Sequence, residues 1–293
     1  MPIDDPADPR ISVFQGLRDH QLRQLREADG GDMSGVFVAE GDLVVERAID
    51  AGYGLCSILV DGARRKAIPP AIEAAGAPIY GAAPNVLQHI TGYHLHRGLL
   101  ACFHRRPLRP VDEVLATSTT LLVLEGINNP TNLGVILRCG VALGVDAFVM
   151  DHTCSDPLYR RAGRVSMGEA YRLPYARLGS FPDNLAVIHD SGFTTLALTP
   201  SGDTDIGDLS FGADQRVALV LGSEGPGLSD GTIHACSMRV RIPMSGSVDS
   251  LNVGSAASVA FYAIQQARTT PSGGPPRSPS GLLVRLLARL RLA

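Results

Sequence analysis

Polar side chains able to bind or move a proton recur in this chain at the ends of apolar runs. Asn132 and Arg138 follow the run TTLLVLEG (119–126), Glu224 lies inside the glycine-dense turn after VALVLG, and Ser250 and Asn252 precede a helix-forming segment. A β-type run that delivers a polar turn is where open α/β sheets hold ligands, because backbone amides and side chains converge there. Three such junctions, carrying mostly uncharged or acidic groups, point to a small-molecule pocket.

Each junction also has a plain structural explanation. Glycines 222, 225 and 227 permit positive φ and close approach to the backbone, and no Lys-Ser or Lys-Thr follows them to make a phosphate-binding P-loop. A turn needs no carboxylate, which leaves Glu224 without a structural reason. Asn132 reads as a loop or capping residue, and Ser250 and Asn252 stand where a helix N-cap would be. Arg138 is the one cation in a helical stretch that is apolar almost all round, so it is either a member of a structural ion pair or a guanidinium directed into a site.

The elements that must position these groups fall into two units. Residues 37–106 alternate short helices and strands, with a helix at 42–52 and strands at 57–61 and 99–103, making a small α/β unit after an N-terminal extension, 1–36. Prolines and arginines in 107–118 read as a linker. From 119 to 270, strands at 119–126, 146–151, 193–200, 216–222 and 238–244 are separated by helical candidates, including 133–143. That order predicts a mainly parallel sheet covered on both faces. The Pro/Gly/Ser-rich stretch 271–281 and the leucine- and arginine-rich segment 282–293 read as a flexible linker and a basic amphipathic tail.

At 293 residues, 45% apolar and a formal net charge of −3, the chain is globular and has no global attraction for nucleic acid. An RNA partner must be held by local basic patches. Two are present: 94–109, with Arg97, Arg105 and Arg106, and 159–177, with Arg160, Arg161 and Arg164, each interleaved with aromatic residues. The five cysteines are scattered without CxxC or His spacing, which predicts a reducing, cytoplasmic setting and no metal site. The polar first thirty residues resemble no leader, and no apolar run reaches the roughly 20 residues of a spanning helix.

Three separated motifs carry a resemblance. NNPTNLGVILR (128–138), LVLGSEGPGLS (219–229) and IPMSGSVDSLNVGSAAS (242–258) occur in the order found in the SpoU, or TrmH-like, branch of the SPOUT RNA ribose 2′-O-methyltransferases. RVSMGEAYRLP (164–174) adds a weaker similarity, and FVAEG (37–41) resembles the start of that family's ribosomal-protein-like RNA-binding domain. The resemblance implies a SPOUT fold with a deep trefoil knot, S-adenosylmethionine as cofactor, a structured RNA substrate, more in keeping with ribosomal than transfer RNA, and a homodimer. It assigns cofactor contact to Thr199, Leu221, Gly222, Ile242, Met244 and Leu251, and the reacting centre to Asn132, Arg138, Glu224, Ser250 and Asn252. A non-catalytic RNA-binding factor retaining the fold is the rival reading.

Overall fold

The computed structural model describes residues 1–17, 26–27, 30–64, 66–93, 95, 98–246 and 250–269. Arg97 and the tail 271–293 lie outside the described residues. The first sheet holds β1 (Pro2–Ile3), β2 (Val36–Glu40), β3 (Leu55–Asp61), β4 (Ile79–Ala82) and β5 (Leu99–His104), in the order β1-β4-β3-β5-β2. Strand β5 is antiparallel to both neighbours, whereas β3-β4 and β4-β1 are parallel. Helices α1 (Asp42–Asp50), α2 (Pro70–Ala74) and α3 (Pro84–Thr91) connect them.

The second sheet holds β6 (Thr120–Leu124), β7 (Ala147–Met150), β8 (Tyr175–Arg177), β9 (Thr194–Leu198), β10 (Thr204–Asp205), β11 (Val217–Leu221) and β12 (Met238–Arg241). Its order is β10-β12-β9-β11-β6-β7-β8, and every pairing is parallel. The helices around it are α4 (Val111–Ala116), α5 (Pro130–Ala142), α6 (Arg160–Val165), α7 (Leu185–Asp190), α8 (Asp230–Ala235) and α9 (Val253–Thr269).

A parallel sheet is buried on both faces, which explains why β6 and β11 read as unbroken apolar runs rather than alternating ones. Leu122 and Leu124 pack with Leu133, Ile136 and Leu137 of α5 on one face. Leu121 and Val123 pack on the other with Val114 and Leu115 of α4 and Leu185 and Ile188 of α7. Each such side chain contributes roughly 1.5–3 kcal/mol through burial.

Two boundaries differ from the sequence expectation. The stretch 107–118 is not a bare linker, because α4 forms within it and its Val114 and Leu115 are 1% exposed. Nor is 1–36 a mere extension: β1 pairs with β4, and Ile11, Phe14, Leu17 and Met33 are buried in the small unit's own core. Prolines and charges hid both contributions, since a few apolar residues without periodicity carry no local signal.

The two units share one core. Phe37 of β2 meets Tyr171 with ring centroids 5.2 Å apart, and Tyr53 contacts both rings, at 5.0 and 6.1 Å. Around this aromatic group runs a polar seam. Glu40, 2% exposed, pairs with Arg160 and with Arg164 (3.2 Å) and accepts from the Tyr93 hydroxyl (3.1 Å). Burial raises the Tyr93 pKa, so the phenol stays protonated as the donor. Arg47 bonds Glu169 (3.0 Å) and the Met167 carbonyl (2.6 Å), and Arg105 pairs with Asp156 at 2.6 Å.

Candidate active site

Three loops converge at the C-terminal end of the parallel sheet. The first follows β6. Asn129 caps α5, its side chain accepting from the Thr131 amide at 2.9 Å, and Pro130 supplies the fixed φ suited to the first helical position. Asn132 therefore sits in the first turn of the helix rather than in the loop, and it is 7% exposed.

The second loop follows β11. Ser223 and Gly227 close a tight turn, the Gly227 amide donating to the Ser223 carbonyl at 3.0 Å, with Gly225 and Gly227 at φ of +92° and +75°. Gly222 is glycine for a different reason than ligand approach. A Cβ there would lie 2.1 Å from the Gly227 carbonyl carbon and 2.2 Å from the Leu228 nitrogen, so the chain's own return path excludes any side chain. The turn is anchored by Glu125, which accepts from the Ser229 amide (3.1 Å), the Ser229 hydroxyl (2.8 Å) and the Thr232 hydroxyl (2.9 Å). Sequence reasoning missed Glu125, though a carboxylate at the very end of a buried strand was the available signal.

The third loop contributes Ile242, Met244, Ser250, Leu251 and Asn252 and leads into α9. Asn252 Oδ1 accepts from the Gly254 amide (2.9 Å) and its carbonyl accepts from the Ala256 amide (2.9 Å), which starts the helix. The expected N-cap role of Asn252 is present, and its Nδ2 does a second task.

That second task joins the three loops. Asn132 Nδ2 donates to Glu224 Oε2 at 2.8 Å, and Asn252 Nδ2 donates to Glu224 Oε1 at 3.3 Å and to Asn132 Oδ1 at 3.2 Å. The result is a closed ring of three side chains from positions 132, 224 and 252. Two neutral amides orient the carboxylate without neutralising it.

Beside the ring lies a cavity of about 630 Å3, within the size range of small-molecule sites. Thr199, Leu221, Gly222, Ile242, Met244 and Leu251 all line it, as do Glu224, Ser250 and Asn252. Met244 and Leu251 are 37% and 41% exposed, so the cavity presents apolar surface that a ligand would cover. Asn132 stands behind this wall and acts through its two ring partners.

Arg138 is not in this arrangement. It is exposed on α5, has no ion pair among the described residues and does not line the cavity. It is thus neither the buried ion-pair member nor, within one chain, a group directed into the site. Its stripe of α5 carries the half-buried Thr131 and Val135 and the exposed Ala142 at helical spacing, and the neighbouring α9 exposes Val259 and Tyr262, at 42% and 56%.

The basic patches are also redistributed. Arg160 and Arg164 are engaged by Glu40 in the seam and are not freely available cations, and Arg105, paired with Asp156 through Nη1, keeps only its Nη2 without a partner. Arg161 is exposed, and Arg106 stacks over the Tyr53 ring at 3.9 Å. Pairing across 51 to 124 positions of sequence is what a charge pattern cannot display. Among the described residues no helix is long and apolar enough to cross a membrane, and no cluster of His, Cys, Asp or Glu could hold a metal ion.

Comparison with known proteins converges on one family. Residues 119–262 match the SpoU rRNA Methylase family. The chain is 41% identical over 260 residues to an uncharacterized tRNA/rRNA methyltransferase of Mycobacterium bovis, covering 88% of this chain and 89% of that one. Among solved structures, the SpoU methyltransferase AviRb from Streptomyces viridochromogenes, in complex with AdoMet, superposes with a TM-score of 0.73 at 24% identity, over 90% of this chain and 99% of that one. An RNA 2′-O ribose methyltransferase gives 0.72 at 25% identity, over 92% and 100%. Three strand-end loops that close one polar ring beside a ligand-sized cavity, on a chain so related, identify it as a member of the SpoU family of RNA methyltransferases.

Proposed function

We propose that the chain transfers a methyl group from S-adenosylmethionine to a ribose 2′-hydroxyl of structured ribosomal RNA. The observation that carries this reading is the Asn132-Glu224-Asn252 ring standing beside the cavity of the three loops. The cavity suits the cofactor: Leu221, Ile242, Met244 and Leu251 give apolar walls, while Thr199, Ser250 and the backbone beside Gly222 give polar ones. When bound, the cofactor supplies a sulfonium-activated methyl group, so the protein needs no metal for the chemistry.

What remains for this chain is to align the accepting oxygen and to take up its proton. Alignment is the larger contribution, since well-placed reactants gain roughly 7–11 kcal/mol, against roughly 10²- to 10⁴-fold from general-base help. Glu224, held by two amides and open to solvent, accepts a hydrogen bond from the ribose hydroxyl and takes its proton as the oxygen gains the methyl group, and Ser250 and Asn252 fix the ribose from the third loop. Arg138 is a poor base, because a guanidinium keeps its proton above about pH 12. In a homodimer paired through the outer faces of α5 and α9, it serves the partner's site by pairing with the target phosphate. The exposed Val259 and Tyr262 beside it support such a pairing.

The small N-terminal unit, joined rigidly to the catalytic sheet, offers the second surface that a large folded RNA needs, which supports ribosomal over transfer RNA. Incubation with methyl-labelled S-adenosylmethionine and separate ribosomal and transfer RNA fractions tests the reading. A labelled 2′-O-methylnucleoside from the ribosomal fraction is expected. Label on a base, in transfer RNA alone, or in neither fraction would overturn it. Light scattering tests the dimer, and Arg138→Lys with near-normal turnover would remove the guanidinium's role.

A further inference from the structure

A second cavity, of about 730 Å3, lies on the seam between the two units. Arg105, Arg106, Arg177, His152, Tyr159 and Tyr175 stand in its wall. Two carboxylates, Glu27 and Asp156, also line it, so the arginines exceed the acids there. Arg105 gives its Nε to the Val36 carbonyl (2.9 Å) and its Nη1 to Asp156 (2.6 Å), while Nη2 is buried without a hydrogen-bond partner. A buried guanidinium nitrogen left unpaired is costly, and an acceptor atom brought by a ligand would relieve that cost.

The cavity opens along a track. Arg106, Leu108 and Tyr175 line it and also a neighbouring cavity of about 360 Å3, which adds Arg109 and Arg172. Arg106 and Arg109 are exposed and without a carboxylate partner among the described residues. Arginines spaced along a groove with aromatic rings between them suit a polyanion with flat bases better than a compact small molecule.

Its distance from the candidate active site is short. Gly126, at φ +69°, separates the two cavities: a Cβ placed there would lie 3.5 Å from Ser223 Cβ and 3.8 Å from Thr153 Oγ1. Ser223 lines the first cavity and Thr153 the second. One turn of backbone is therefore all that stands between them.

We propose that this seam cavity holds an unpaired nucleotide of the RNA substrate, a near neighbour in the strand of the one whose ribose is methylated. The rings of Tyr159, Tyr175 and His152 enclose its base, and Arg105, Arg106 and Arg177 meet its phosphates. The proposal rests on the RNA-methyltransferase reading and adds to it where the flanking strand is gripped. It also gives the seam a role: the pocket exists only because both units build it.

The test uses the full chain and a fluorescently labelled, randomised single-stranded RNA. Arg106→Ala/Arg177→Ala is expected to weaken binding about tenfold and to make the salt dependence shallower by about 1.4 in log-log slope, as two lost phosphate contacts would. His152→Trp fills the cavity without removing an arginine and is expected to weaken binding similarly. Wild-type affinity in the double variant overturns the proposal. Loss in the double variant with full retention in His152→Trp also overturns it, by showing surface charge alone. S-adenosylmethionine affinity, measured by calorimetry, is expected to stay unchanged in both variants. Wild-type protein that binds RNA but no S-adenosylmethionine would defeat the methyltransferase reading instead.

Discussion

The loop cluster at the end of the parallel sheet and the seam between the two sheets each centre on one glutamate, held in opposite ways. Glu224 is exposed and touched by two neutral amides. Glu40 is 2% exposed and met by two guanidiniums and a phenol. Amides fix a carboxylate while leaving its charge for a ligand, whereas guanidiniums consume that charge. The strand ends therefore keep a carboxylate charge free for a ligand, while around Glu40 the charge is spent on joining the two units.

Removing each glutamate's support separates the two roles. Glu40→Ala leaves Arg160 buried without its anion, and a loss of about 3–5 kcal/mol in urea unfolding is expected. A loss below about 1 kcal/mol would erase the distinction. Asn132→Ala opens the ring, and turnover is expected to fall about 100-fold. Its stability should change by only about 1 kcal/mol, the scale of a lost hydrogen bond. Near-normal turnover would show that the ring does not position the reacting groups.

Arg138→Ala sharpens the contrast from outside both regions. Stability within about 0.5 kcal/mol of wild type is expected from an exposed, unpaired residue, and a larger loss would reveal a partner. The smallest effect concerns two thiols behind the loops. Burial raises Cys154 to about 12, with Asp151 adding to it, and raises Cys236 to about 11 against an ordinary value of 9.0. Both stay protonated in the folded chain at neutral pH, so alkylation is expected to be much slower than in urea. Because the folded values are raised, their contribution to stability is intact below pH about 9 and declines as pH climbs toward the folded values. Fast alkylation of the folded chain at pH 8 would contradict this.

Legibility in the sequence follows the same division. The parallel sheet announces itself through unbroken apolar runs, and the polar Glu224, Ser250 and Asn252 stand next to those runs and are legible there, whereas the cavity-lining Leu221 and Ile242 are singled out only by the family resemblance. The exposure of Arg138 is not legible locally, because an apolar helix reads as buried all round while one narrow stripe of α5 faces outward. The seam was invisible for a different reason. Glu40 looks like any strand-end charge, and Arg160 and Arg164 look like an open basic patch, until folding brings partners more than a hundred positions away into contact. The buried residues of the first 36 positions carried no period to betray them.

Asn252 spans two jobs, starting the last helix with its Oδ1 and steadying Glu224 with its Nδ2. The start of α9 and the completion of the polar ring accordingly depend on the same side chain. On the ribosome, where the amino-terminal part folds first, Asn132 and Glu224 emerge before the third member of their ring. The ring of positions 132, 224 and 252 therefore closes only after the segment that starts α9 has left the ribosome.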